Sequence, residues 1–291
     1  MLIRNVLKII STSKAGQYEI PGHPEQPARV LASLLHLKNI LPNETFEEPK
    51  PASLEKIGAV HGPHLITDVE RETYFDPDTP GTAGIYAASL LAAGGALKAA
   101  EESLKGTQVF SLMRPPGHHA TPDKAMGFCY FNSMAVAVQD MVKQGKVERV
   151  SVLDLDCHHG NGTEDFCLEK SQFQYVSLHQ FPAYPGTGRQ SRANCVNYPL
   201  PPGTDEGDYF QALEAAFKNV QNFKPGLIGV SMGFDTYEKD PLTQFGLVKK
   251  DYRKIGKWLK DLQVPTFALL EGGYHDDLPF LIEEFLTGWT Q

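Results

Sequence analysis

The stretch Val152-Leu-Asp154-Leu-Asp156-Cys-His158-His159-Gly-Asn161-Gly decides how this 291-residue chain is read. An apolar run of strand character passes directly into two aspartates, two histidines and a glycine-flanked asparagine. At an extended strand end, residues two apart point to the same side. Asp156 and His158 therefore face one way, with Asp154 deeper behind them. Gathering so many ionisable groups at a strand end is costly unless they hold a metal. A second pair of histidines has the same setting: Arg114-Pro-Pro-Gly-His118-His119 also follows an apolar run.

Working outward, continuous apolar runs at 109–112, 149–155, 174–178, 227–232 and 265–270 read as strands. Helical patterns fall at 84–103, 132–143, 205–222, 249–262 and 278–289, with Asn132 as an N-cap. Residues 1–10 read as a first strand. Charges interrupt their apolar stretch and no small-residue cleavage site follows, which argues against a signal peptide. The strands lack polar alternation, as expected when both faces are buried. Strands alternating with helices imply an α/β fold, a mainly parallel sheet covered by helices. No repeat or linker divides the chain, so residues 1–291 are expected to form one domain. In a parallel sheet the carboxyl ends of all strands share one edge, where ligand sites form. Five polar motifs follow the strands and converge there: Pro-Gly-His-His, Asp-Cys-His-His, His179-Gln-Phe-Pro, Gly233-Phe-Asp235 and Glu271-Gly-Gly-Tyr274.

Composition narrows the function. The chain is 41% hydrophobic and 21% charged, with a net charge of −8. That is the balance of a soluble globular protein without a basic tract, so nucleic acid is not an expected partner. No run of about 18 apolar residues exists, so no membrane-spanning helix is expected. The four cysteines form no CxxC pair. This disfavours a thiolate zinc knuckle and fits a reducing, cytoplasmic setting. Nothing in the sequence decides between a monomer and an oligomer.

Asp156, His158 and Asp235 offer two carboxylates and an imidazole, the three protein ligands of a catalytic zinc that keeps one position open. His118 and His119, on the rigid turn set by Pro-Pro-Gly, suit proton transfer or electrostatic stabilisation beside such a metal. Tyr274 could donate a hydrogen bond to a developing oxyanion.

These motifs resemble the zinc-dependent histone deacetylases and their relatives the acetylpolyamine amidohydrolases. The segments are Arg114-Pro-Pro-Gly-His-His-Ala, Gly127-Phe-Cys-Tyr-Phe-Asn132, Asp154-Leu-Asp-Cys-His-His-Gly-Asn-Gly-Thr163, Val176-Ser-Leu-His179, Tyr184-Pro-Gly-Thr-Gly188, Gly233-Phe-Asp235 with Asp240-Pro241, Glu271-Gly-Gly-Tyr274 and the opening His23-Pro-Glu-Gln-Pro-Ala-Arg29. The resemblance implies a three-layer arginase–deacetylase fold with an eight-stranded parallel sheet. It implies one Zn2+ on Asp156, His158 and Asp235, and a structural K+ at Asp154, Asp156, His158, Ser177 and Leu178. It makes His119 the general base and later acid, His118 an electrostatic partner, and Tyr274 the group that polarises the scissile carbonyl. Gly127, Phe128, Tyr184 and Leu242 match a substrate tunnel, and Arg29 an arginine lining an internal cavity. Asp154 is expected to partner His118. Asn161, neutral, is expected to partner His119 and to leave it less basic than a carboxylate would. Asn161 and Glu271-Gly-Gly lean toward the class II branch. His159 is left as a supporting residue.

The implied activity is hydrolysis of an N-acetyl amide, such as acetyl-lysine in protein, to acetate and a free amine. An acetylpolyamine or other small acyl-amine is the alternative substrate, less favoured because Leu242 stands where a polyamine-selective branch has glutamate. Glu238 or the Asp76–Asp78 loop could still supply charge. A binuclear manganese ureohydrolase would need a second aspartate two residues after Asp235, which Asp235-Thr-Tyr-Glu238 lacks. A non-catalytic acyl-ligand binder would not need His118, His119 and Tyr274 intact.

Overall fold

All five side chains of the strand Val150–Asp154 are buried, because it runs through the middle of a sheet covered on both faces. The computed structural model describes residues 7–291. In chain order the elements are β1 (Leu7–Ile10), α1 (Ala28–Ile40), β2 (Thr45–Glu47), α2 (Leu54–Ile57), α3 (Pro63–Glu70), α4 (Ile85–Ser103), β3 (Gln108–Ser111), α5 (Ser133–Lys143), β4 (Val150–Asp154), α6 (Asn161–Cys167), β5 (Phe173–Gln180), β6 (Cys195–Leu200), α7 (Glu206–Phe223), β7 (Leu227–Met232), α8 (Lys249–Asp261), β8 (Thr266–Leu270) and α9 (Leu278–Thr290). The strands form one eight-stranded sheet in the order β2-β1-β3-β8-β7-β4-β5-β6, and every neighbouring pair is parallel.

The period of two along each strand divides the core between the faces. Leu153, Ile228, Val230, Ala268 and Leu270 pack with α1, α7, α8 and α9. Val150, Val152, Leu227, Phe267 and Leu269 pack with α4 and α5 on the other face. Local chemistry sets the helix starts. The Asn132 side chain accepts the Ala135 N–H at 2.9 Å, and Asp205 accepts the Asp208 N–H at 3.0 Å.

The strands expected from residue 109 onward are all present. The run at 174–178 extends to Gln180, so His179 belongs to β5 rather than to the loop after it. Of the expected strand over residues 1–10, Leu7–Ile10 is a strand and residues 1–6 lie outside the described residues. The sequence reading did not find α1, α2, α3, β2, α6 or β6. α2, α3 and α6 are short, and β2 and β6 are the edge strands; β2 has three residues and none is fully buried, whereas α1 has thirteen residues with Val30, Leu34 and Leu37 at helical spacing and was missed.

The strand order positions the site. β3 and β4 are successive in sequence but stand apart, with β8 and β7 between them. Chains leaving the carboxyl ends of this central group therefore frame a crevice, the usual ligand position in open α/β sheets.

On the far side, α8 and α9 cross at glycines. A β-carbon on Gly256 would lie 2.7 Å from the Trp289 nitrogen and would also strike the Phe285 carbonyl. Alanine in place of a helical glycine normally stabilises by about 1 kcal/mol. Here backbone meets backbone and cannot yield as a side chain would. Gly256→Ala is expected to destabilise by about 1–3 kcal/mol, seen as a lowered Tm; a Tm at or above that of the wild type would contradict this packing.

Candidate active site

Asp156 and His158 leave the end of β4, and Asp235 follows β7 beside it. Their ligating atoms all lie within 4.8 Å of one another. His158 Nδ1 is 3.2 Å from Asp156 Oδ1 and 2.9 Å from Asp235 Oδ2. The outer carboxylate oxygens are held by backbone: Asp156 Oδ2 accepts the Gly272 N–H at 2.7 Å, and Asp235 Oδ1 accepts the Cys157 N–H at 2.9 Å. Glycine allows this approach. A β-carbon on Gly272 would stand 2.6 Å from both Asp156 Oδ2 and Asp235 Oδ2, and one on Gly233 would overlap Asp156.

Both aspartates are buried. Burial and the neighbouring Asp156 push Asp235 up to about 7. Burial also opposes charge on Asp156, but the imidazoles of His118 and His158 hold it below the usual carboxylate range. Two adjacent carboxylates out of water call for a cation between them. One nitrogen and two oxygen donors, with His158 partly exposed to a cavity, fit a divalent metal with an open position.

The rings of the two histidines after β3 lie against each other at a 39° tilt, with centroids 3.9 Å apart. His118 Nδ1 lies 3.2 Å from Asp154 Oδ2, which also accepts the Tyr175 hydroxyl at 2.9 Å. His119 Nδ1 lies 2.9 Å from Asn161 Oδ1, while Asn161 Nδ2 donates to the His119 carbonyl at 3.3 Å. That second bond fixes the orientation of the amide. His119 Nδ1 therefore carries the proton, and the Nε2 lone pair is free on the cavity side. Electrostatics separates the rings. Burial works against charge on His118, yet Asp156 and Asp154 hold it up at about 10. Burial and the cations of His118 and His158 keep His119 well below the ordinary histidine range.

A cavity of about 230 Å³ reaches this group, lined by Asp78, His119, Gly127, Phe128, His158, Tyr184, Leu242 and Tyr274. All four residues expected to form a tunnel line it. The Tyr184 ring stands perpendicular to His119 at 5.1 Å, and Phe128 meets Tyr274 edge-on at 5.7 Å. Gly127 and Phe128 both have positive φ, 56° and 68°. The conformation is costly for phenylalanine. A hydrogen bond from its N–H to Thr79 Oγ1 at 3.2 Å and the His23 ring 4.5 Å away help to hold it. Burial pushes the Tyr274 phenol well above its usual range, so it stays a donor.

The residues expected around a monovalent cation come together at neighbouring strand ends, with Asp154 paired to Ser177 and Leu178 next along β5. Arg29 does not line this cavity. It donates to the Gly273 carbonyl at 2.7 Å and to the Glu271 carbonyl, and lies 4.8 Å from the Tyr274 ring centroid. His159 is buried beneath the 184–188 loop, 2.7 Å from Thr187 Oγ1 and 2.6 Å from Glu164. Asp240, quoted only as part of a motif, accepts the Tyr274 N–H at 2.7 Å. Asp78 appears at the cavity, where the sequence offered only a loop rich in aspartate. Arg114, given no role from the sequence, binds both Glu25 carboxylate oxygens at 2.7 and 2.8 Å and anchors the segment before α1.

Residues 23–283 match the histone deacetylase domain. A protein of Archaeoglobus fulgidus named "Probable deacetylase" is 37% identical over 277 residues, covering 87% of this chain and 77% of its own length. Acetylpolyamine amidohydrolase 2 of Pseudomonas aeruginosa is 39% identical over 212 residues, 69% of this chain and 61% of that protein. The crystal structure of an acetylpolyamine aminohydrolase from Burkholderia pseudomallei superposes with a TM-score of 0.90 at 26% identity, covering 97% of this chain and 98% of the other. The sheet and its flanking layers are those of an arginase–deacetylase fold. The chain belongs to the histone deacetylase domain family and is an enzyme of the deacetylase and amidohydrolase class.

The crowding at Gly272 makes the metal group testable apart from turnover. Gly272→Ala must force Asp156 and Asp235 apart. Zinc affinity, measured by titration against a competing chelator, is expected to fall about 10- to 100-fold; unchanged affinity would mean that these residues are not the metal site.

Proposed function

We propose that this protein is a zinc-dependent amidohydrolase that removes the acetyl group from an N-acetylated amine, most favourably acetyl-lysine in a protein. One observation carries the reading. Asp156 and Asp235 meet at His158, which lines an aromatic-walled cavity together with His119 and Tyr274. Phe128 and Tyr184 flank a space suited to a linear aliphatic arm, with the partly exposed Tyr184 and Leu242 at its mouth.

When bound, zinc would polarise the amide carbonyl and acidify an attacking water. His119 Nε2, deprotonated because its surroundings disfavour a second cation, takes the proton from that water. The Tyr274 hydroxyl donates to the oxyanion that develops on the carbonyl. His118, held charged between Asp154 and Asp156, supplies fixed positive charge. A protonated histidine returns the proton to the leaving amine. Leu242, Tyr184 and Phe128 give a mainly apolar mouth, which supports acetyl-lysine. Asp78, the one carboxylate lining the cavity, supports a second reading, a cationic acetylpolyamine. A binuclear centre finds no support at Asp235-Thr-Tyr-Glu238: Glu238 points to solvent and Asp240 is engaged by the Leu242 and Tyr274 N–H groups. A structural K+ beside Ser177 and Leu178 remains part of the proposal. Residues 1–291 are taken as one catalytic unit because strands from both ends of the chain share one sheet.

Profiling kcat/KM over acetyl-lysine peptides, longer acyl-lysines and acetylpolyamines, with and without a chelator, tests this reading. Turnover should favour acetyl-lysine and vanish on chelation. Tyr274→Phe should lower kcat by about 10²-fold. Chelator-resistant turnover, or an undiminished Tyr274→Phe variant, would refute the mechanism.

The neutral partner of His119 gives a pH test. Its depressed pKa places the acid limb of kcat/KM below the ordinary histidine range. A carboxylate partner stabilises the imidazolium, so Asn161→Asp should raise that limb by about one pH unit or more. An unmoved limb would mean that His119 is not the base.

A further inference from the structure

Glu271 is a buried ionisable group that the proposed reaction leaves without a task. It follows directly on β8, and only 1% of its surface is exposed. With His118 and Cys129 it forms a second cluster of side chains that could in principle hold a metal. The hydrogen bonds argue otherwise, because its donors are already engaged. Glu271 Oε2 accepts the backbone N–H of Gly117 at 2.7 Å and that of His118 at 3.2 Å. Oε1 accepts the Ser231 hydroxyl at 3.0 Å. His118 Nδ1 faces Asp154, and Cys129 Sγ donates to the Gly127 carbonyl at 3.3 Å.

Those bonds give the carboxylate another purpose. Gly117 and His118 belong to the turn that presents both histidines, and their N–H groups point inward at the buried Glu271 carboxylate. On the opposite side, a β-carbon on Gly117 would lie 2.7 Å from the Ser133 nitrogen, so the turn is already pressed against the start of α5. The His118 carbonyl accepts N–H groups of Gly162 and Thr163 at 3.1 Å. The backbone of Glu271 is fixed as well: its N–H donates to the Met232 carbonyl at 3.0 Å and its carbonyl accepts from Arg29. Next along the chain, the Gly272 N–H binds Asp156. A short path, hydrogen bonds at each end and the Glu271–Gly272 chain between, therefore links the turn with the catalytic histidines to a ligand of the metal group.

We propose that Glu271 is a positioning residue, whose carboxylate sets the distance and orientation of the His118–His119 turn relative to Asp156, His158 and Asp235. The role rests on the hydrolase reading above. It requires the length of glutamate and an acceptor oxygen at Oε2, and it does not require charge. Glutamine satisfies both conditions. Its carbonyl can accept the two N–H groups, and its NH2 can donate to Ser231 Oγ once that hydroxyl turns. Aspartate keeps the charge but is one methylene short, and alanine leaves both N–H groups without an acceptor.

The test is a series in the acetyl-lysine assay, with hydrogen–deuterium exchange followed over peptides spanning residues 114–121. Glu271→Gln should keep wild-type kcat and slow exchange in the turn. Glu271→Asp and Glu271→Ala should lower kcat by about a hundredfold, the scale of a 1 Å misplacement of a catalytic group. KM and zinc affinity should change little, and exchange in the turn should quicken. If Glu271→Ala fails to fold, the comparison of Gln with Asp decides. Glu271→Asp or Glu271→Ala with full kcat and a protected turn would overturn the proposal. So would Glu271→Gln as impaired as Glu271→Asp, since charge would then be the requirement. A wild-type enzyme inactive on every acyl-amine would count against the hydrolase reading, while exchange in the series would still report whether Glu271 holds the turn.

Discussion

Four carboxylates, those of Asp154, Asp156, Asp235 and Glu271, sit at the carboxyl edge of the sheet with at most 1% of their surface exposed. Charge removed from water in this way is destabilising by several kcal/mol per group unless it is paired and hydrogen-bonded. The surrounding structure answers that constraint. Backbone N–H groups of Asp156, Cys157, Gly272, Gly117 and His118 all point at these oxygens. Glycines at 160, 233 and 272 leave room for the oxygens where any β-carbon would collide. What the backbone does not neutralise falls to imidazoles and to the metal that the donor set fits.

The same constraint makes two adjacent histidines unlike each other. His118 faces Asp154 and Asp156 and is held as a cation. His119, one residue on, faces a neutral amide and the His118 cation and is held as a base. Rings 3.9 Å apart do not readily carry two charges, so burial and the first proton disfavour the second. The asymmetry follows from position, since the side chains are chemically identical.

Around this centre lies a supporting layer that connects distant parts of the chain. Glu25 binds Arg114 and Arg29, and Arg29 holds the Gly273 carbonyl beneath the Tyr274 ring. Residues before α1 thus stabilise the loop after β8, nearly 250 positions later. Asp240 holds the Tyr274 N–H from a third direction. Loops that would be mobile by themselves are fixed because each is tied to more than one neighbour.

Much of this was legible from the chain. Apolar runs without alternation marked the central strands, since a strand buried on both faces has no polar face to display. The aspartates, histidines and tyrosine that follow those runs marked one edge of the sheet. The short edge strand at 45–47 and the short helices at 54–57 and 63–70 were not legible, because an element of a few residues carries little periodic signal; α1 was missed although Val30, Leu34 and Leu37 recur at helical spacing. Arg29 was matched by resemblance to an arginine lining an internal cavity; its bonds to the backbone under Tyr274 could be seen only in the structure. Asp240 and Glu271 look like ordinary acidic residues in sequence; their roles depend on backbone groups up to 154 positions away. The sequence by itself determined which chemical groups are present and that they stand at strand ends. Tertiary structure alone decided which of them share a proton, which face a neutral partner and which hold another in place, because charge and hydrogen bonding act through distances in space that no spacing along the chain records.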